Sequence, residues 1–329
     1  MPTQSEALES VHRSLADLPA GRWLLAVSGG RDSMALLDAF ASARGHELAG
    51  VASYDHGTGA AATKAVALVE RTALGLQVPV MTGRAVGGIT SAASEAAWRE
   101  ARWRFLRGWA AELRATVVTA HTWDDQVETV VLRLLRGSGP RGLAAMRVFD
   151  GARETLVSHR PGAPDTAIAR PFLTVTRAQV AAYATARELT WVEDPSNASM
   201  SFARNRVRHE ILPALERAQP GFAQWCWALS GRAAAWRAEV AAWVDAELTP
   251  LRVDAESVAV RAEPLRALDA DGAAVIWPEV AIRAGLAMDR RGIARLAGWA
   301  PRAVAGGVVQ LSGGEVRRTA STFVMRRLY

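Results

Sequence analysis

The residues best suited to chemistry gather at a few points along the first 215 positions. Ser28-Gly29-Gly30-Arg31-Asp32-Ser33 follows the apolar run 22–27 and precedes helical spacing over 34–44. Two glycines let a backbone turn tightly and approach a ligand closely. The N–H groups of such a turn, and of the helix it opens, point at one spot where the helix dipole favours an anion. Ser28 and Ser33 add hydroxyl donors. Asp32 repels phosphate, so it makes sense as a magnesium ligand beside phosphates. The spacing is neither that of the Walker A loop nor Gly-x-Gly-x-x-Gly. A plain glycine-rich turn is the alternative, and the strand-before, helix-after context favours function. A second Ser-Gly-Gly, at 312–314, lies between alternating runs and reads as a hairpin turn.

Asp125 and Glu128 stand three apart on a helical run just past an apolar stretch, so they share one face. They form a carboxylate pair suited to a free amine substrate; alternatively, with Asp124, they are acids enriched at a helix start for dipole reasons. His121 completes a His-x-x-x-Asp spacing that could pair on a metal or orient the turn. Glu95, Arg99 and Arg102 fall on one stripe of a long helix near 92–113. Arginines aimed at a triphosphate would neutralise charge developing on the leaving group; a solvated face is the other reading. Trp98, Trp103 and Phe105 on that helix read as core.

These residues need a scaffold. Apolar runs at 22–27, 47–54, 77–81 and 115–120 read as strands, and they alternate with helical spacing at 34–44, 63–74, 92–113 and 124–136. Alternation of this kind predicts an α/β fold with a doubly wound, mainly parallel sheet covered on both faces. Ligands of such sheets bind beyond the carboxyl ends of the strands. Ser28, Asp55 and His121 all fall at strand ends and should converge on one crevice. A further helix is expected at 176–188. Breaks at Pro213 and Pro220-Gly221 divide residues 1–215, the catalytic domain, from 216–329, a smaller and mainly helical C-terminal domain closing in a hairpin.

Composition narrows the class. The 329 residues are 50% hydrophobic and 22% charged, which excludes a disordered or collagen-like chain. A single cysteine, Cys226, excludes a disulfide framework and a cysteine zinc site. No apolar run is long enough to span a membrane and no signal core opens the chain, so no membrane association and a cytoplasmic setting are expected. The net charge is +6, and only Lys64 among the 39 basic residues is a lysine. Arginine is permanently charged and grips phosphates bidentately. The basic excess is not concentrated: 24 basic residues face 21 acids over 1–215, and 15 face 12 over 216–329.

The loop Ser-Gly-Gly-Arg-Asp-Ser after the first strand resembles the pyrophosphate loop of the N-type ATP pyrophosphatases, which cleave ATP to AMP and pyrophosphate. Within that superfamily, AHTWDDQVETVVLRLLRGSGPRGLAAM at 120–146, RPFLTVTRAQVAAYA at 170–184 and WVEDPSNASMSFARNRVRHEILPAL at 191–215 resemble blocks of the tRNA(Ile)-lysidine synthetase family. The matches cover about 20–215. The resemblance implies an ATP- and magnesium-dependent ligase. Such an enzyme adenylates carbon 2 of the wobble cytidine of the isoleucine tRNA with a CAU anticodon, and free L-lysine then displaces AMP. It implies that Ser28 to Ser33 cradle the pyrophosphate, that Asp32 and Asp125 meet metal, and that Asp125 and Glu128 handle lysine and metal. It puts Asp55 and His56 near the base or ribose.

It also implies that Arg99 and Arg102 serve the triphosphate. Arg204 and Arg206, with Arg208, then form a comb for tRNA phosphates or the adenylate. The C-terminal region would grip tRNA, and a homodimer stays open. This chain departs from the family pattern at Thr58-Gly59, where Leu-Arg is usual, at Trp98 and Trp103, and at Phe202, which keeps a stacking ring but lacks a hydroxyl. The rivals are another tRNA-modifying ATP pyrophosphatase, such as a thiolase, and a non-catalytic RNA-binding protein. The first would need cysteine or iron–sulfur chemistry; the second has no use for Asp32, Asp125 and Glu128.

Overall fold

Leu24 and Leu25 are adjacent in sequence and buried on opposite faces of one sheet, as the two-residue period of a strand requires. In the computed structural model, which describes residues 2–57, 59–85, 95–150, 166–193, 199–254 and 256–328, six strands form that sheet. They are β1 (Trp23–Ala26), β2 (Leu48–Asp55), β3 (Val80–Arg84), β4 (Thr116–Val118), β5 (Phe149–Asp150) and β6 (Ile168–Ala169), in the order β3-β2-β1-β4-β6-β5. All neighbours are parallel except β5, which runs antiparallel to β6. Leu25 lies opposite Val51 on one side and Val118 on the other, so β1 is central and near-continuously apolar.

Helices cover both faces. On one side, α1 (Gln4–Ala16), α2 (Arg31–Arg44) and α3 (Ala60–Gly75) contribute Val11, Phe40 and Val69 to a core with Leu25, Val51 and Val118. On the other, α4 (Glu95–Leu113) sets Trp103 and Leu106 against Leu24, Ala52 and Val117. Trp103 is thus core, as its type suggested. Two helices that carry site residues begin with capping boxes, in which a threonine hydroxyl and the side chain three residues on satisfy each other's backbone amides. These are α5 (Trp123–Leu135), capped by Thr122 and Asp125, and α6 (Arg177–Ala186), capped by Thr176 and Gln179.

Helix α7 starts at Ala203–Arg206, widens into a π-helical turn at Val207–Ile211 and continues over Leu212–Ala218. Pro213 has no N–H to close the ladder there, and a wide turn accommodates its ring. Thr58, Asn197 and the side chains of Glu95 and Trp98 lie outside the described residues.

Two compact units emerge. One holds the described residues up to 150 with Thr166–Gly231; the other runs from Arg232 onward, so the division falls inside α8 (Phe222–Glu247). The second unit is larger in helix than in strand, with α9 (Ala270–Arg283) and α10 (Arg290–Trp299). Its strands β7 (Leu251–Arg252), β8 (Ser257–Arg261), β9 (Val308–Leu311), β10 (Gly314–Arg318) and β11 (Thr322–Arg327) make an antiparallel sheet in the order β7-β8-β11-β10-β9. The terminal hairpin of the sequence reading is therefore part of a five-stranded sheet. Trp277 is fully buried there against Phe323, ring centroids 5.4 Å apart. Among the described residues no helix is long and apolar enough to cross a membrane.

Candidate nucleotide and amine site

At the carboxyl end of β1 the chain turns through Ser28 to Gly30 into α2. Gly29 has φ +81°, and a Cβ there would stand 2.7 Å from the Ala65 carbonyl oxygen, so only glycine fits. Gly30 caps α2 with no side-chain hydrogen bond. The first-turn amides of α2, which have no intrahelical partners, are thereby left to an incoming anion. Ser33 serves the loop itself: its hydroxyl accepts from the Ser28 amide at 3.1 Å and donates to the Gly30 carbonyl at 2.9 Å. From outside, the Val192 amide donates to the Gly29 carbonyl at 2.9 Å.

The loop forms one wall of a cavity of about 540 Å³ contained in the first unit. Ser28, Gly30, Arg31, Asp32 and Ser33 line it, facing His56, Arg102, His121, Asp125 and Arg204. The strand-end residues Ser28 and His121 thus converge as the topology predicted. Burial raises the Asp32 carboxyl above its ordinary range, Arg31 and Arg177 oppose that shift, and the charge of Asp125 adds to it. Two like charges near a phosphate cradle suit a divalent cation, and magnesium typically takes one or two carboxylates together with substrate phosphates. Asp32 fits such a role. Among the described residues no three of His, Cys, Asp and Glu gather into a metal cage.

Asp125 and Glu128 do share a face of α5, but not as open carboxylates. Three guanidinium groups converge on them. Glu128, 1% exposed, accepts from Arg208 Nε at 2.7 Å and Nη2 at 3.0 Å, from Arg204 Nε at 2.8 Å and from Arg177 Nη2 at 3.0 Å. Asp125 Oδ1 lies 3.0 Å from Arg177, 3.1 Å from Arg204 and 3.4 Å from Arg208. Its Oδ2 accepts from the Thr122 amide at 2.8 Å. Burial works against both charges, yet the arginines and the Thr122 cap outweigh it and hold both carboxyls below their ordinary range. The oxygens expected to meet metal at Asp125 are therefore already engaged.

Arg204 and Arg208 stand four apart on α7 and point the same way. Arg206 does not join them: its guanidinium donates to the carbonyls of Met200 and Ser201 at 3.1 and 3.2 Å. The comb read from alternating arginines fails because the stretch is helical, and 3.6 residues per turn carry position 206 to another face. Arg177, which lines the cavity and pairs with Asp125 and Glu128, is the candidate site residue that sequence reasoning missed. Its signal was the Thr176–Gln179 capping box, which fixes it in the first turn of a helix.

Arg102 lines the cavity with a buried Nε that has no protein hydrogen bond, and burial together with the neighbouring Arg99 lowers it to about 10. Such a cation needs an anion. Arg99 is exposed on the same helix, outside the cavity lining. His121 bonds Thr119 Oγ1 through Nδ1 at 2.8 Å, and burial and four surrounding arginines keep it well below its ordinary range, hence neutral. His56 lines the cavity, edge-on to Tyr54 at 5.3 Å. Asp55 does not line it. Instead, it braces the turn into α3 by accepting from the Gly57 amide at 2.7 Å and Thr63 Oγ1 at 3.1 Å. Ser-Gly-Gly at 312–314 closes the β9–β10 hairpin, with Gly313 at φ +77°.

Known proteins bear out this architecture. The model of the PP-loop domain family matches residues 3–215. A tRNA(Ile)-lysidine synthase of Salinispora arenicola is 40% identical over 222 residues, 66% of this chain and 63% of that one. One from Bradyrhizobium diazoefficiens is 36% identical over 288 residues, 86% of this chain and 75% of that one. The chain thus spans slightly less than two thirds of the first relative and three quarters of the second. Among solved structures, a U34-tRNA thiolase from Methanococcus maripaludis shares the fold, with TM-score 0.55 over 70% of this chain and 79% of that one at 14% identity. The chain belongs to the PP-loop domain family and, within it, to the tRNA(Ile)-lysidine synthases.

Proposed function

We propose that the chain is an ATP-dependent ligase that attaches lysine to carbon 2 of the wobble cytidine in tRNA(Ile) with a CAU anticodon. The observation that carries this reading is one cavity in which a glycine-only phosphate cradle faces Arg102, whose buried Nε has no hydrogen-bond partner and which pairs with no carboxylate among the described residues. ATP places its phosphates on the α2 amides, with Arg102 beside them. The cytidine oxygen attacks the α-phosphorus, pyrophosphate leaves, and the adenylated base then accepts the lysine side-chain amine as AMP departs. A magnesium ion, when bound by Asp32 and the phosphates, neutralises charge on the leaving pyrophosphate. Arg102 adds fixed positive charge at the same place, and Arg177, Arg204 and Arg208, held by Glu128 and Asp125, keep further guanidinium groups oriented toward the cavity.

Residues 1–215 supply this chemistry, and 216–329 position the tRNA. A thiolase reading has no support in the one cysteine, because Cys226 is buried in an apolar cluster and its thiol is pushed up to about 11 by burial and by Glu216. The test is ATP–pyrophosphate exchange with and without tRNA. Exchange that requires tRNA supports the ligase; exchange without it, or none in its presence, argues for another activity.

A further inference from the structure

We propose that Thr119 is a positioning residue for the adenylation step: its buried hydroxyl fixes the tautomer of His121, so that the imidazole presents its Nε2–H to a phosphoryl oxygen of the bound nucleotide. The assignment deepens the ligase reading above and rests on it. Both residues line the cavity of the phosphate loop, and Thr119 Oγ1 stands 2.8 Å from His121 Nδ1. Which atom carries the proton follows from what else each can reach. Thr119 is 4% exposed, and among the described residues His121 Nδ1 is the one acceptor its hydroxyl has. Were Nδ1 to donate instead, the threonine proton would be buried without an acceptor, an arrangement that native interiors avoid. The hydroxyl therefore donates, Nδ1 is bare, and a neutral ring keeps its proton on Nε2. Nε2 has no hydrogen bond among the described residues and stays open to the cavity.

The turn that carries His121 is held at both ends. Before it, the Thr119 amide donates to the Ala169 carbonyl at 3.0 Å, extending the pairing of β4 with β6. After it, Thr122 caps α5, and the Thr122 amide donates to Asp125 Oδ2 at 2.8 Å. The surroundings say what the Nε2–H must meet. Arg170, Arg204, Arg102 and Arg99 all act on the ring and, together with burial, keep it neutral. A donor turned toward several cations is unfavourable by itself and favourable once an anion stands among them. An imidazole free to choose its tautomer would turn a bare nitrogen to those arginines and offer the phosphate only a lone pair. The threonine prevents that choice. It thereby adds an uncharged, preorganised donor to the fixed positive charge of Arg102.

The test is isotope-edited NMR of the histidine-labelled full-length protein, combined with kinetics; the His121 signal is the one lost in His121→Gln. The wild type should carry the His121 proton on Nε2, both alone and with ATP, and ATP added without tRNA should shift that N–H signal. In Thr119→Val, which keeps the shape and removes the hydroxyl, the arginine field should draw the proton to Nδ1. The kcat/KM of that variant for ATP in tRNA-dependent pyrophosphate release should fall about tenfold, the loss of one hydrogen bond to a charged partner. Thr119→Ser should restore the tautomer and bring the rate to within about threefold of wild type. A proton on Nδ1 in the wild type overturns the assignment. So does a His121 signal that ATP leaves unmoved, or a Thr119→Val enzyme as fast as wild type. A wild-type protein with the expected tautomer and ATP shift but no tRNA-dependent exchange would count against the ligase reading alone, because the NMR arms need no turnover.

Discussion

Glu128 and Arg208 form a bidentate pair across 80 residues of sequence, at 2.7 and 3.0 Å, with the carboxylate almost wholly out of water. A buried carboxylate of this kind tolerates its charge only through its partners, and here Arg204 and Arg177 complete the shell. The pair joins α5 to the π-helical turn of α7 and so fixes the wall of the cavity opposite the phosphate loop.

Glu128→Gln should therefore be costly in stability as well as in activity. Three guanidinium groups lose most of their compensating charge, and breaking a buried pair of this sort costs about 3 kcal/mol. Urea denaturation should show a lower midpoint with an unchanged slope. A midpoint equal to wild type would mean that solvent, not Glu128, carries the arginine charge.

The arginines of α7 should separate by face. Arg204→Ala and Arg208→Ala should each slow adenylation by about a hundredfold, because small displacements of aligned groups have effects of that size. Arg206→Ala loses only contacts to two backbone carbonyls on another face and should stay within about threefold of wild type in the same assay. Equal losses at 204 and 206 would restore the comb that the helix geometry removes.

The two Ser-Gly-Gly copies make an internal control. Gly29→Ala forces both a left-handed alanine and a clash with Ala65, so the loop must move; nucleotide affinity should fall below detection by calorimetry. Gly313→Ala meets nothing nearer than 4.0 Å and pays only the left-handed penalty, about 1–2 kcal/mol, with nucleotide affinity unchanged. Retained affinity in Gly29→Ala would remove the loop from the phosphate site.

Asp32 carries a pH signature. Its folded-state carboxyl is raised, so the folded protein holds that proton more tightly than the unfolded chain. The group therefore subtracts stability once pH rises above the unfolded value of 3.8, and subtracts nothing below it. In metal-free buffer, Asp32→Asn should melt at a higher temperature than wild type near neutral pH, with the difference shrinking as pH falls toward 4, while adenylation is lost. A variant less stable than wild type at neutral pH would contradict the placement of Asp32 in a desolvated, like-charged site.

Much of this was legible in the chain because local signals agreed with the fold. Alternating apolar runs and helical spacing predicted the parallel sheet, and a glycine pair between strand and helix predicted the cradle. What escaped was long-range or depended on period. Arg177 reaches Glu128 from 49 positions away, and nothing local announces that meeting. Arginines at every second position suggested an extended comb, whereas the stretch folded as a helix with a π turn. Asp55 was read at a strand end and does stand there, but its oxygens were taken by Gly57 and Thr63 within the next turn. Strands β5 and β6 have two residues each, too short for any periodicity to register.

The most direct measurement of the central claim is mass spectrometry of the nucleosides of tRNA(Ile) bearing a CAU anticodon after incubation with the protein, ATP, magnesium and lysine. We expect the wobble cytidine alone to gain lysine, in an amount that depends on ATP and vanishes in Asp32→Asn. An unmodified cytidine, or a nucleoside carrying sulfur in place of lysine, would contradict it.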